Sequence, residues 1–195
     1  MTNKKTLVFA TNNQHKLEEL RQIAGDSLEI LSLDDIGCHD EIPENQPTLE
    51  GNALEKAMWV KSKYGYECFA DDTGLEVECL GGEPGVRSAR YAPGEGHDSK
   101  ANMDLLLRNM AGKANRSARF RTVIALTEDP ANRLFEGVVE GVILEAPSGD
   151  GGFGYDPVFC PLGWTKSFAE ASSQEKNAVS HRARATRALI EYLNK

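Results

Sequence analysis

The segment TLVFATNNQHK, residues 6–16, decides the fold class of this chain. Its first part, Thr6–Ala10, is a short apolar run bounded by polar residues, which is typical of a buried strand. Over residues 13–24, leucine and alanine recur at helical spacing, so we predict a helix there. A buried strand that leads directly into a helix is the repeating unit of α/β proteins.

The same interleaving of strands and helices continues along the chain. We predict further strands at 28–33, 67–70, 75–79, 118–126 and 134–144, with helices at 48–65, 99–110 and 180–193. The last two strands are expected to form an antiparallel pair. The sequence DDTG at 71–74 is expected to be a turn that interrupts a strand, and the glycine-rich stretch 81–96 a surface loop and candidate lid. This order predicts an α/β protein with a mixed sheet.

Length, composition and charge limit the class of function. With 195 residues, 40% hydrophobic and 27% charged, the chain has the size and composition of one globular domain. A formal net charge of −8 argues against binding of duplex DNA or RNA, because that requires a positive surface. A free nucleotide stays possible, since a local basic pocket and a divalent metal can offset its charge.

The cysteines and the N-terminal region indicate a compartment. Cys38, Cys68, Cys79 and Cys160 have neither metal-ligand nor CxxC spacing, so we expect reduced, mostly buried thiols and no disulfide framework. The apolar run at 7–10 is too short for a signal peptide or a membrane span. From these features we expect a soluble, cytoplasmic protein.

Residues 11–16 follow a predicted strand and open a predicted helix, where free amide groups and the helix dipole favour anions. Lys16 falls in the first helical turn and could join those amides on a phosphate. The alternative is that Asn12 or Asn13 caps the helix and that Lys16 is solvated. The segment is not a Walker loop, because GxxxxGK[ST] occurs nowhere in the chain.

Carboxylates provide candidate metal ligands at Glu44 and at Asp71 or Asp72. Adjacent side chains on a strand point to opposite faces, so at most one of the two aspartates faces a given cleft. Mg²⁺ prefers one or two carboxylates, with water and substrate phosphates as its other ligands. A carboxylate beside such an ion can also deprotonate an attacking water. The alternative is an ordinary turn at 71–74.

The glycine-rich loop at 151–157, GGFGYDP, carries two aromatic rings and a carboxylate. Glycine permits close approach to a ligand, and an aromatic ring offers a stacking face. About twenty residues later, Lys176, His181 and Arg182 supply hydrogen-bond donors near the start of a helix. Together these features predict a pocket for a flat, anionic molecule such as a nucleotide.

Two of these basic residues could have structural roles instead of binding a ligand. Arg182 shares the apolar face of the last helix, so it needs anionic or carbonyl partners. His181 could instead be a partly buried histidine satisfied by its surroundings. Ser172 and Glu175, three residues apart, resemble a capping box at the start of a preceding helix.

Taken together, these motifs resemble the inosine triphosphate pyrophosphatase family over nearly the whole chain, in the family's order. They are TNNQHK at 11–16, PE at 43–44, NALEK at 52–56, ADDTGL at 70–75, GGEPG at 81–85, SARY at 88–91, GFGYDP at 152–157 and EKNAVSHR at 175–182. Two departures lie near Glu44. Gln46-Pro47 stands where the family more often has Gly-Leu, and Leu49-Glu50-Gly51 where it often has Phe-Glu-Glu.

The resemblance implies an α/β fold with an elongated mixed β-sheet flanked by helices, two lobes with a central nucleotide-binding cleft, and a homodimer. The chain, 1–195, would form a single nucleoside-triphosphate pyrophosphatase domain. The implied reaction is Mg²⁺-dependent hydrolysis of the non-standard purine triphosphates ITP, dITP and XTP to the monophosphate and pyrophosphate. This would cleanse the nucleotide pool and prevent their incorporation into DNA and RNA.

Carried over by position, the resemblance also implies residue roles. Glu44 and Asp72 would bind magnesium, and Asp72 would be the catalytic proton acceptor for water. The substrate-binding residues would be Thr11, Asn12, Asn13, Gln14, His15, Lys16, Lys56, Thr73, Phe153, Gly154, Tyr155, Asp156, Lys176, His181 and Arg182.

Three other interpretations remain open at this point. The chain could be a related pyrophosphatase for modified pyrimidine or standard nucleotides, which turnover of ITP, XTP, dUTP and GTP would separate. It could be a nucleotide-binding regulator without turnover, although a regulator needs neither a metal carboxylate nor a base. A nucleic-acid binder is disfavoured by the net charge.

Overall fold

The computed structural model of the protein describes residues 4–94 and 96–195. Its strands are β1 (Lys5–Phe9), β2 (Leu28–Leu31), β3 (Cys68–Val77), β4 (Pro84–Gly85), β5 (Ser117–Leu126), β6 (Arg133–Ile143) and β7 (Phe159–Pro161). Its helices are α1 (Gln14–Ala24), α2 (Leu49–Tyr64), α3 (Ser99–Asn109), α4 (Ser173–Val179) and α5 (His181–Leu193).

The seven strands form one sheet in the order β2-β1-β3-β5-β6-β7, with β4 beside β3. β1 runs parallel to both β2 and β3, and its Val8 lies opposite Leu31 and Cys68. β4 is antiparallel to β3, and β7 is antiparallel to β6. The prediction of an α/β protein with a mixed sheet is therefore confirmed.

The chain divides into two compact units. The first comprises residues up to Asp72 with Thr122–Gly137 and Arg182–Lys195, and the second comprises Thr73–Arg121 and Val138–His181. Each unit has its own buried apolar side chains. In the first they include Leu7, Phe9, Leu17, Leu20, Phe69, Ile124, Leu126 and Leu189. In the second they include Leu75, Leu106, Met110, Phe120, Val158, Phe159 and Phe168.

The predicted turn at 71–74 is wrong, because β3 runs without interruption from Cys68 to Val77. Local preference for a turn gives way to tertiary bonds: Asp71 and Asp72 are buried and hydrogen-bonded by side chains distant in sequence. Gly74 contributes by admitting β4, since a Cβ on Gly74 would lie 2.6 Å from the carbonyl oxygen of Gly85. Both aspartates are thus strand residues.

The stretch 81–96 is more ordered than a surface loop. It contains β4 and a short 3₁₀ helix at Ser88–Arg90. Ser88 and Tyr91 are buried, and the Ser88 hydroxyl bonds to both Leu75 N and Gly85 O. The predicted surface loop therefore contains a two-residue strand and a 3₁₀ helix, while residue 95 of the candidate lid lies outside the described residues.

Helix caps follow the sequence closely. Asn13 caps α1, Thr48 caps α2, and Ser172 with Glu175 forms the predicted capping box on α4. All four cysteines are free thiols, and three of them are buried. In the part of the chain that the structure describes, no helix combines the length and apolarity needed to cross a membrane.

Candidate functional site

A buried network of charges surrounds Asp71 in the first unit. Lys16 Nζ, from the first turn of α1, donates to Asp71 Oδ1 over 3.1 Å. Arg182 Nε, from the start of α5, donates to Asp71 Oδ2 over 3.2 Å, and its NH1 pairs with Glu19. Arg182 is only 1% exposed. The predicted inward arginine therefore has the anionic partners that its position requires.

Asp71 is held in the ionised form by its neighbours. Burial alone would raise the pKa of its carboxyl, but the charges of Lys16, Arg182 and Lys56 more than offset burial and lower the pKa below the ordinary value. The pKa of Lys16 is lowered, mainly by burial, although the charge of Asp71 acts in the opposite direction. The expectation of a merely solvated Lys16 is wrong.

Asp72 has a different set of neighbours. Asn52 Nδ2 donates to Asp72 Oδ2 over 3.0 Å, and both side chains are buried. One turn further along α2, the Lys56 ammonium pairs with Glu44 Oε1. Among the neighbouring charges, that of Asp72 does most to raise the pKa of Lys56. Three predicted site residues, Glu44, Lys56 and Asp72, therefore belong to one group.

The electrostatics of this second group differ from those around Asp71. Burial raises the pKa of Asp72 above its ordinary value, with a further rise from Glu44, although Lys56 and Lys16 act in the opposite direction. The pKa of Lys56 is raised, because the carboxylates of Asp72, Glu44 and Asp71 outweigh its burial. Two adjacent aspartates thus have pKa shifts of opposite sign.

The donor set at Glu44 and Asp72 fits a magnesium ion. The two carboxylates are near enough for Glu44 to raise the pKa of Asp72. Within residues 4–94 and 96–195, no cluster of three or more His, Cys, Asp or Glu side chains is arranged to hold a metal. A site of two carboxylates suits Mg²⁺, which keeps several waters and binds substrate phosphates, better than a metal that needs a full protein cage.

In the second unit, Asp156 organises the glycine-rich loop. Its Oδ2 accepts from Lys176 Nζ over 2.7 Å and from Phe153 N over 3.0 Å. The Lys176 ammonium also lies 4.9 Å from the centre of the Phe153 ring, within cation–π range. Phe153, Asp156 and Lys176, predicted separately, are therefore brought together.

His181 and Tyr155, two further predicted binding residues of the second unit, are both buried. The His181 ring stacks on Phe120 at 4.6 Å between ring centres and is 3% exposed. Tyr155 is buried, and its hydroxyl donates to Ser88 O over 2.6 Å. Burial also raises the pKa of Tyr155. These rings stabilise the second unit, whatever further part they take in binding.

The remaining predicted residues lie at the start of α1, in β3 and in the glycine-rich loop. Thr11 Oγ1 accepts from Asn13 N over 3.1 Å, and Asn13 Oδ1 accepts from Lys16 N over 3.1 Å. The capping interpretation of Asn13 is thus confirmed. Exposed or partly exposed positions are taken by Asn12, Gln14, His15, Thr73 and Gly154. Their substrate-binding roles stay predictions.

Sequence reasoning did not assign roles to Asn52 and Glu19. The signal for Asn52 was present: it lies four residues before Lys56 on the buried stripe of α2, where a polar side chain needs a partner. The partner itself, Asp72, is twenty residues away in sequence, so local pattern does not identify it. Glu19 is 163 residues from Arg182, and helical spacing gave no signal for that pairing.

Comparisons with known proteins find relatives over nearly the whole chain. A model described as the Ham1 family matches residues 7–192. The dITP/XTP pyrophosphatase of Flavobacterium psychrophilum is 53% identical over 95% of this chain and 97% of its own length. That of Porphyromonas gingivalis is 54% identical over 96% of each chain. The structure of a HAM1 protein from Coxiella burnetii has a TM-score of 0.88 at 36% identity, over 97% of this chain and 98% of the other.

Proposed function

The chain belongs to the Ham1 family, and on that premise we propose that it hydrolyses the non-standard purine triphosphates ITP, dITP and XTP to the monophosphate and pyrophosphate. Removing these nucleotides cleanses the pool from which DNA and RNA are made. The observation that carries the proposal is Asp72, a buried carboxylate held by Asn52 and placed near Lys56 and Glu44.

The residues of the first unit would bind the phosphates. Lys56 is buried and Lys16 is half-buried, their charges act on one another, and the start of α1 adds backbone N–H groups. Glu44 and Asp72 would hold Mg²⁺, which when bound offsets the negative charge of the triphosphate. Lys56, already paired with Glu44, keeps a positive charge beside the two carboxylates.

For the reaction, a water attacks the α-phosphorus, and pyrophosphate leaves. Asp72 accepts the proton of that water. Burial raises the pKa of Asp72 in the metal-free protein, and a bound Mg²⁺ would act in the opposite direction. Lys16 and Lys56 stabilise the charge that develops on the leaving pyrophosphate.

Selectivity for the base would come from donors. Hypoxanthine and xanthine carry an oxygen at position six, whereas adenine carries an amino group. Lys176, His181 and Arg182 are the candidate donors, and Phe153 offers a stacking face next to Lys176. A donor that faces adenine would stay unpaired, at a cost of about 1–3 kcal/mol for each buried group. Guanine would have to be rejected through its 2-amino group.

We further propose a homodimer in the cytoplasm, in which all of 1–195 acts as one pyrophosphatase domain, with no nucleic-acid or membrane partner. The length of 195 residues supports a single domain, and the net charge of −8 argues against a nucleic-acid partner. Light scattering on the purified protein measures the mass, and a monomer at micromolar concentration would contradict the dimer.

Product analysis tests the activity. Incubation with ITP, XTP, GTP and ATP is expected to release IMP and pyrophosphate from ITP, with weak turnover of GTP and ATP. Chelation by EDTA is expected to abolish the release. IDP and orthophosphate would show cleavage at the terminal phosphate and contradict the mechanism. Tight binding of ITP without turnover would instead favour a nucleotide-binding regulator.

Gly152→Ala is expected to impair nucleotide binding. A Cβ at Gly152 would lie 2.2 Å from Asp156 Oδ2, and φ is +66°. The new side chain would push Asp156 off Lys176 and Phe153 N, so we expect the KM for ITP to rise about tenfold, equivalent to about 1.4 kcal/mol. Steady-state kinetics measure this. Gly163→Ala is the control, because Gly163 has a similar φ of +81° and no atom within 4 Å of the added Cβ. Equal effects of the two changes would exclude a role for Asp156.

A further inference from the structure

Gly51 is an unexpected residue at its place in α2. It stands in the first turn of the helix, where glycine is among the poorest helix formers. Helical backbone does not itself require glycine, but the surrounding space does. A Cβ at Gly51 would lie 2.7 Å from Gln46 Cβ and 3.0 Å from Thr48 Oγ1. The side chain of Gln46 therefore occupies space that a residue other than glycine would need.

Gln46 cannot easily move aside. Its Cβ is fixed by its own backbone, so no change of rotamer relieves a contact to that atom. Its backbone N–H donates to Asn52 Oδ1 over 2.9 Å, and its side-chain Nε2 donates to Glu55 Oε1 over 3.1 Å. The preceding N–H, of Asn45, donates to Glu55 Oε2 over 2.8 Å. A side chain at Gly51 would thus displace the backbone segment as a whole.

This segment is connected to both candidate metal carboxylates. Glu44 lies two residues before Gln46 and pairs with Lys56 of α2. Asn52, which accepts from Gln46 N, donates with its other amide atom to Asp72 Oδ2 over 3.0 Å. A shift of Gln46 would therefore reach Glu44 through the backbone and Asp72 through Asn52.

We propose that Gln46 and Gly51 form a coupled positioning pair. Gln46, seated in the space left by Gly51, fixes the segment that carries Glu44 and the amide of Asn52 that holds Asp72. The inference rests on the proposed function only in taking Glu44 and Asp72 as metal ligands. Gln46 and Gly51, two of the four positions at which this chain departs from the motif it resembles, then become one compensated change.

A double-mutant cycle tests the coupling, with Mn²⁺ as the probe and no nucleotide present. Mn²⁺ affinity is read by electron paramagnetic resonance for the wild type, Gly51→Ala, Gln46→Gly and the double variant. Gly51→Ala is expected to weaken Mn²⁺ binding about tenfold or more, as changes around metal ligands commonly do. In the Gln46→Gly background the same change should have a much smaller effect, because the contact to Gln46 Cβ is gone and only the 3.0 Å contact to Thr48 Oγ1 stays. Helix propensity alone would predict that Gly51→Ala stabilises α2, because alanine favours a helix more than glycine does.

Ser62→Ala, at an exposed position of the same helix, is the control and should leave the affinity unchanged. Urea unfolding verifies that each variant is folded. Equal losses from Gly51→Ala in both backgrounds, or no loss in either, would overturn the pair. A wild type that binds no Mn²⁺ would overturn the metal ligands and the pair with them. A wild type that binds Mn²⁺ but releases no pyrophosphate from ITP would contradict the proposed function alone.

Discussion

Asp72→Asn is expected to lower kcat for ITP by about two to four orders of magnitude, the usual contribution of a positioned general base. An asparagine keeps the size of the side chain and can still accept from Asn52, but it cannot take a proton from water. Single-turnover and steady-state assays of pyrophosphate release measure the loss. Near-normal kcat would exclude Asp72 as the base.

The stability of the same variant provides a second test. The pKa of Asp72 is raised in the folded protein, first by burial, so ionisation costs more there than in the unfolded chain. At neutral pH a neutral side chain at this position should therefore leave the free energy of unfolding unchanged or higher. A marked drop in urea stability would mean that the lost activity reflects damage to the fold.

Much of the fold was predictable from local pattern. Strand and helix spacing predicted the alternation around β1 and α1, and the caps at Asn13 and Ser172 were predicted from sequence. Local pattern did not predict that β3 continues through residues 71–74. The local preference for a turn there is overridden by hydrogen-bond partners 20 to 111 residues away. Such partners are fixed only when the sheet and helices assemble.

The candidate site shows the same division. The alternation of side chains along a strand predicted different surroundings for Asp71 and Asp72, and the two have different partners. The apolar stripe of the last helix predicted that Arg182 points inward, and it is buried. Which aspartate meets which cation depends on the placement of α1, α2 and α5 around β3. The proposed coupling of Gln46 to Gly51 could not be predicted from residue type, since it follows from the 2.7 Å that would separate a Cβ at Gly51 from Gln46 Cβ.

Asp71→Asn is expected to destabilise the protein by about 3–5 kcal/mol at neutral pH, the typical cost of removing one partner from a buried ion pair. Lys16 and Arg182 are both held by Asp71, and Arg182 is 1% exposed. The exchange would leave the fully enclosed guanidinium with less compensating charge. Urea unfolding at pH 7 measures the change. Asp129→Asn is the control, because the Asp129 side chain is 95% exposed at 3.5 Å from Lys61 and should matter little.

Acid should remove this difference between wild type and Asp71→Asn. The neighbouring cations outweigh burial and lower the pKa of Asp71 in the folded state. Its carboxylate therefore contributes stability above the unfolded pKa of about 3.9, and that contribution is lost as the pH falls through the lower folded pKa. The two unfolding curves should therefore begin to approach each other only below about pH 4, and the difference should keep shrinking as the pH falls towards the folded pKa of Asp71. A difference that stays constant well below about pH 4 would mean that Asp71 acts through packing and not through its charge. A shrinking difference would identify Asp71 as the ionised anchor of Lys16 and Arg182, beside an Asp72 whose pKa shift has the opposite sign in the metal-free protein.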